Sequence, residues 1–150
     1  MRNNGQSLFE VILATAITAI VLIVIVSVST SSVKISSSSR DNAQANRYAQ
    51  EATEWLRSQR DASWSDFTTA AGASATYCIN SLNFSTSGSC SAGGVISGTI
   101  FSREVTFSFV TTNVANDTVE VNVVVSWTDS SGTHSVSSST LFTDWKTQVN

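Results

Sequence analysis

The residue whose position asks most of its surroundings is Glu10, a carboxylate set inside an apolar run and not at its edge. Leu8 and Phe9 precede it, and Val11 to Val28 follow with only Thr15, Thr18 and Ser27 as polar interruptions. Counted from Leu8, about 20 residues at about 1.5 Å each make roughly 30 Å of helix, the thickness of a bilayer's hydrocarbon core. The run can therefore cross a membrane once. A charge deep in a bilayer costs about 2.5 kcal/mol or more, so such a residue usually has a partner and a task. Arg2 lies eight residues away, about two turns and roughly 12 Å along a helix axis. The pairing group is therefore expected on another chain.

The other residues able to do chemistry are few. His134 is the single histidine. No Ser or Cys stands in a defined relation to it, and a lone His in a Ser-rich strand reads as a surface or edge residue, not as a base. Asp61 with Asp66, and Asp129 near Gly132, are the nearest approach to calcium ligands, but neither follows a calcium-loop spacing and turn chemistry accounts for both. Asn83-Phe84-Ser85 and Asn116-Asp117-Thr118 match a glycosylation acceptor pattern so short that it recurs by chance in a chain rich in Asn, Ser and Thr. No catalytic constellation, cofactor motif or metal-ligand set emerges, and an enzyme is not expected.

A short polar leader ending in Gly5, then Gln6, Ser7, Leu8, Phe9 and Glu10 before the apolar run, resembles the class III signal of type IV pilins and pseudopilins. The resemblance covers Gly5 to about Val28. It implies that a prepilin peptidase cuts after Gly5 and methylates the new amino terminus at Gln6. It also implies that Glu10 neutralises the amino terminus of a neighbouring subunit as the helices bundle into a filament. Two plainer readings compete. A cleaved secretory signal has an apolar region of about 7 to 15 residues and a small-residue cleavage site, for which Ser27-Val28-Ser29 could serve; the excess length and Glu10 stand against it. A plain single-pass anchor fits the length but gives Glu10 no reason.

Of the 150 residues, about 50 to 60 are expected in one long helix, which leaves room for one small domain. Charged residues make up only 13% and Pro is absent; there is no basic patch to recommend nucleic acid. Arg2 before the run places the amino terminus on the cytoplasmic side and sends everything after Val28 outward. In an exported domain Cys78 and Cys90, twelve positions apart, read as a disulfide closing a short loop, worth about 3 kcal/mol in the chain-entropy model. A metal site needs more ligands than this pair provides.

Taken in order, residues 1–5 form the leader, 6–28 the membrane and filament-core helix, 29–62 an amphipathic helix, and 63–150 a loop region and sheet. Ser29 to Ser39 alone would read as a linker. Arg40 to Arg60, without Gly or Pro, carries Ala45, Tyr48, Ala52, Trp55 and Leu56 on one stripe, so helix continues through the Ser run or resumes after it. The other face holds Arg40, Arg47, Glu51, Glu54 and Arg57, with Arg47 and Glu51 spaced to pair. Asp61 to Phe67 is expected to end the helix in turn residues. Short strand-like pieces follow at 75–79 and 82–85. From Ile100 the period becomes two: Phe101, Arg103, Val105, Phe107 and Phe109 share one face, then Val119 to Trp127 at odd positions after a turn at Asn113 to Asp117. Asp129-Ser130-Ser131-Gly132 reads as a hairpin turn, and His134 to Phe142 as the return strand with Val136 and Leu141. Trp145 in the tail is expected to dock on the domain edge.

The expected fold is α+β, a long N-terminal helix laid on one face of an antiparallel sheet of three or four strands. That order of parts is the one the resemblance to pilins implies. Gln50 to Asp61 is in addition similar to the helix end of PilV-like minor pilins. Gln6 stands where many major pilins have Phe, and no Gly or Pro interrupts the first helix, so a minor pilin or pseudopilin is expected before a major subunit. The implied partners are like or related subunits through the N-terminal helix, the prepilin peptidase and a membrane assembly machine. The implied location is the cytoplasmic membrane with the C-terminal domain outside, then an extracellular pilus or pseudopilus. The alternative from another class is a membrane-anchored adhesion or binding module that forms no filament.

Overall fold

The structure, a computed structural model, describes residues 4–72, 75–90, 94–109 and 118–144, with side chains from Leu8 onward. Helix α1 runs unbroken from Asn4 to Ala62. Its continuity follows from the absence of Gly and Pro after Gly5 as far as Gly72. The Ser-rich stretch stays helical, and hydroxyls at its start turn back on the helix: Ser29 Oγ donates to Ile25 O at 2.9 Å, Thr30 Oγ1 to Val26 O at 2.8 Å and Ser31 Oγ to Ser27 O at 3.0 Å. Such back-bonding keeps these groups satisfied without help from outside the helix. The chain divides into two compact units, Met1–Asp41 and Asn42–Asn150.

Within the second unit, Ala45, Ala49, Ala52 and Leu56 recur at steps of four, three and four, and all four are buried. Three of them are alanines, and together with Leu56 they join the core that the inward residues of the sheet line. Tyr48 and Trp55, expected on the same stripe, are half-buried; Tyr48 packs on Phe101 and Trp55 on Phe84, with ring centroids 5.4 and 4.8 Å apart.

The turn expected after the helix is instead a second helix, α2, Trp64–Ala71. Ser63 caps it, with extended backbone (φ −156°) and Oγ accepting from Asp66 N–H at 3.2 Å; Asp66 lies in the first turn, where a carboxylate suits the helix dipole. Gly72 (φ 50°) ends it, its N–H reaching Thr68 O and Thr69 O. Phe67, on the buried side of α2, meets the rings of Phe107 and Phe142 edge-on at 5.7 and 5.4 Å.

Four strands follow: β1 Thr76–Cys78, β2 Ser102–Phe109, β3 Thr118–Asp129 and β4 Gly132–Thr143, in an antiparallel sheet of order β1-β2-β3-β4. The expected 75–79 piece is β1. The 82–85 piece is not a strand: Asn83 Oδ1 accepts from both the N–H and the hydroxyl of Ser85, a local turn that competes with any ladder. β2 and β3 pair with Val105 opposite Val123 and Phe107 opposite Val121, so their odd-numbered residues share the face covered by α1 and α2. In β4 the inward residues are His134, Val136, Ser138, Thr140 and Phe142, while Leu141 points out and is 61% exposed. Pairing of Val119 with Phe142 sets that parity. The expected turn at Asn113 to Asp117 and the docking of Trp145 lie outside the described residues.

Candidate functional site

The described side chains of α1 within the first unit, from Leu8 through Ser36, are all exposed in the single chain. Ile23 is 69% and Phe9 68% exposed, and no residue of the most apolar stretch is buried. A helix apolar on every side and left exposed among the described residues suits lipid or other helices around it. It is long and apolar enough to cross a membrane once. Two of its threonine hydroxyls turn back on the helix: Thr15 Oγ1 donates to Ile12 O at 2.9 Å and Thr18 Oγ1 to Ala14 O at 2.7 Å.

Glu10 differs from these. Its side chain is exposed on the same surface, and a carboxylate can only accept, so the carbonyls of its own helix offer it nothing. No hydrogen bond or ion pair reaches it among the described residues, whose ion pairs all lie from Glu51 onward. Gly5 and Gln6 lie within the first turns of the same helix. One turn of α1 thus carries an anionic group surrounded by Leu8, Phe9, Val11, Ile12 and Leu13, each at least half exposed. The arrangement can bind a cation or ammonium group brought by another molecule.

A second polar centre lies within the folded domain. Cys78 and Cys90 are joined by a disulfide, with Cα atoms 4.7 Å apart. Beside it Arg103, 2% exposed, sits on the inward face of β2 where its neighbours are apolar. Its Nε donates to Ile79 O at 3.1 Å, and Nη1 donates to Tyr48 O at 3.1 Å and Glu51 Oε2 at 2.9 Å. Its own backbone is held too: Arg103 N–H donates to Asn80 Oδ1 at 2.7 Å and Arg103 O accepts from Ile79 N–H at 2.9 Å. One guanidinium therefore fastens helix α1, the strand β2 and the segment after β1. Glu51 is engaged by Arg103 and not by Arg47 as its spacing suggested; Arg57 pairs instead with Glu54 at 2.6 Å. Sequence inspection missed the role of Arg103, although a lone charge at an inward position between Phe101 and Val105 was its signal.

The hairpin between β3 and β4 gathers the only histidine. His134 Nε2 lies 3.1 Å from Asp129 Oδ1 and 3.3 Å from Ser131 Oγ, and Ser131 donates to Asp129 Oδ1 from both its hydroxyl and its N–H, each at 2.6 Å. One ring nitrogen serves both neighbours, whereas a nucleophile relay uses the two nitrogens separately. The geometry is that of an Asx turn with a histidine packed on Trp127, ring centroids 5.4 Å apart. The Ser131 hydroxyl first, then the Ser131 N–H and His134, hold the Asp129 carboxyl down to about 2 from 3.8. Asp61 and Asp66 do not join it: Asp61 pairs with Arg60 at 2.8 Å and Asp66 sits in the first turn of α2. Among the described residues no group of three His, Cys, Asp or Glu could hold a metal ion.

Comparison of the chain with protein-family models, with curated proteins and with solved structures finds no match.

Proposed function

We propose that the chain is a structural subunit of a type IV pilus-like filament, a minor pilin or pseudopilin more than a major subunit. The observation that carries the reading is Glu10, an exposed carboxylate on an otherwise apolar helix surface, without a partner among the described residues. A signal sequence or a simple anchor gains nothing from such a group and bears its cost of about 2.5 kcal/mol or more. A helix that leaves lipid to pack among its like gains register from it, because a charge pair in low dielectric disfavours slipped arrangements. In this reading a prepilin peptidase cuts after Gly5, Gln6 becomes the methylated amino terminus, and its ammonium group pairs with Glu10 of a neighbouring subunit. The chain waits in the cytoplasmic membrane with its sheet domain outside until an assembly machine draws the helix into the filament. The continuity of α1 through Ser36 to Ser39 supports a subunit whose helix stays intact on assembly.

The test is replacement of the carboxylate in the full chain. Glu10→Gln keeps shape and removes charge; Glu10→Val restores an uninterrupted apolar surface. Both are expected to leave the protein in the membrane and to lower its amount in sheared surface filaments about tenfold or more, the factor that about 1.4 kcal/mol of lost subunit affinity makes. Unchanged recovery of either variant in filaments contradicts the pairing. If instead the wild-type chain keeps residues 1–5 and never enters a filament, the protein is a membrane-anchored binding module.

A further inference from the structure

The two edges of the sheet are finished differently. At the β1 side the chain closes its own ladder: Cys78 N–H donates to Thr86 O at 3.0 Å, Gly88 N–H donates to Thr76 O at 2.7 Å, and Tyr77 bridges Ser87. The Cys78–Cys90 bond holds that loop in place. At the opposite side β4 runs for twelve residues, paired with β3 from Asp129↔Gly132 to Thr118↔Thr143 in one register without a bulge. Among the described residues no backbone group bonds to its outer side.

Antiparallel ladders alternate, so each strand turns every second residue's N–H and C=O to one neighbour. The two-residue connection Ser130-Ser131 makes Asp129 and Gly132 a hydrogen-bonded pair. The even-numbered residues of β4 thus face β3, and Thr133, Ser135, Ser137, Ser139 and Leu141 direct their backbone groups to the open edge. The far side of the sheet keeps the same parity: Phe107 N–H and Arg103 O, both of odd-numbered residues, turn away from β3 and bond to Ala75 and Ile79. Long edges are ordinarily blunted by Lys, Pro, bulges or a covering element. β4 has no Lys, Arg, Asp, Glu or Pro, and its single titratable group, His134, is engaged by Asp129 within the hairpin.

We propose that β4 pairs antiparallel with β4 of a second copy of this chain, about a two-fold axis at Ser138, joining the two sheets into one. The strand is self-complementary in that register. On the outer face Thr133 meets Thr143, Ser135 meets Leu141 and Ser137 meets Ser139; on the inner face His134 meets Phe142 and Val136 meets Thr140. Every edge N–H and C=O from Thr133 to Thr143 finds a mate, and no charge stands opposite a like charge. An uncharged edge offers a foreign strand nothing to be selected by, whereas a second copy matches it along its whole length. An isologous contact of this kind closes on itself, so pairing stops at two. The contact uses no residue of the N-terminal helix and stands or falls apart from the filament reading.

Cross-linking of the full chain in detergent micelles tests it. In the two-fold register Ser138 meets Ser138 of the copy as a non-hydrogen-bonded pair, with Cα atoms about 4.5 Å apart, a separation that a disulfide spans. Ser138→Cys is expected to become a covalent dimer on mild oxidation. Ser135→Cys, displaced from its own copy by roughly 20 Å along the strand, is expected to remain a monomer. Ser137→Lys, which charges the edge, is expected to reduce the mass of the unoxidised particle from two chains to one. Equal cross-linking of the two cysteine variants, or a mass unmoved by Ser137→Lys, overturns the pairing. Should a variant not fold, amide exchange of the unaltered chain decides: protection at Ser135, Ser137 and Ser139 that rises with protein concentration supports the dimer, and protection independent of concentration overturns it.

Discussion

Two charged residues in apolar surroundings show what a side chain's partners decide. Glu10 has none among the described residues, while Arg103 has the carbonyls of Tyr48 and Ile79 and the carboxylate of Glu51. Glu51 is half exposed at 52% and can rehydrate, so most of the value of Arg103 lies in the carbonyls it satisfies. Arg103→Met is therefore expected to lower unfolding stability by about 2–3 kcal/mol, and Glu51→Gln by less than about 1 kcal/mol; denaturant unfolding of the two variants in detergent checks the ratio. Equal losses would mean that the ion pair, and not the carbonyls, is what holds α1 there. The hairpin carboxylate makes a pH prediction. The Ser131 hydroxyl holds the Asp129 carboxyl down to about 2, below its ordinary value of 3.8. Its depressed value gives the hairpin a contribution that is full above about 4 and is lost as pH falls through about 2. Ser131→Ala removes the largest cause, so Asp129 is expected to titrate closer to 3.8 by carboxyl NMR; an unmoved value contradicts the assignment.

At the scale of elements, what was legible in the sequence depended on how many residues shared one signal. The strands β2 and β3 alternate over eight and twelve residues, and their faces could be read from period two alone, whereas the register comes from the pairing of Val105 with Val123. A long helix was legible from the absence of breakers, but its continuity through the Ser-rich run was open until the structure showed Asn4–Ala62 as one element. The helix α2 was not, because eight residues with only Phe67 and Ala71 buried give almost no periodicity, and its cap, Ser63 with Asp66, is written in residues that also make turns. Leu141 and Phe142 are adjacent and both apolar, so β4 alone cannot say which faces inward; only the pairing with Val119 does. The placement of Glu10 inside the apolar run was plain in the sequence, whereas the engagement of Glu51 by Arg103 joins residues 52 positions apart that no local spacing connects. If Ser63 starts α2 as its geometry indicates, Ser63→Ala costs about 1 kcal/mol. Leu56→Ala, which opens the seam between α1 and the sheet, costs about 2–5 kcal/mol. Denaturation midpoints check both, and a Ser63→Ala effect as large as that of Leu56→Ala would contradict the division of labour between cap and core.

At the scale of the molecule, the chain divides its tasks between a helix whose apolar surface is left uncovered by its own unit and a domain whose core is closed. The domain buries Phe67, Phe101, Phe107 and Phe142 between helices and sheet and locks its loop with Cys78–Cys90. In the proposed reading the N-terminal helix needs a positively charged group delivered to Glu10 in apolar surroundings. A methylated amino terminus at Gln6 of a neighbour meets that need only if the first five residues are removed. The most direct test of the account is therefore the intact mass of the protein isolated from membranes. A chain that begins at methylated Gln6 is the predicted result; an uncut chain, or one that begins near Ser29, contradicts it.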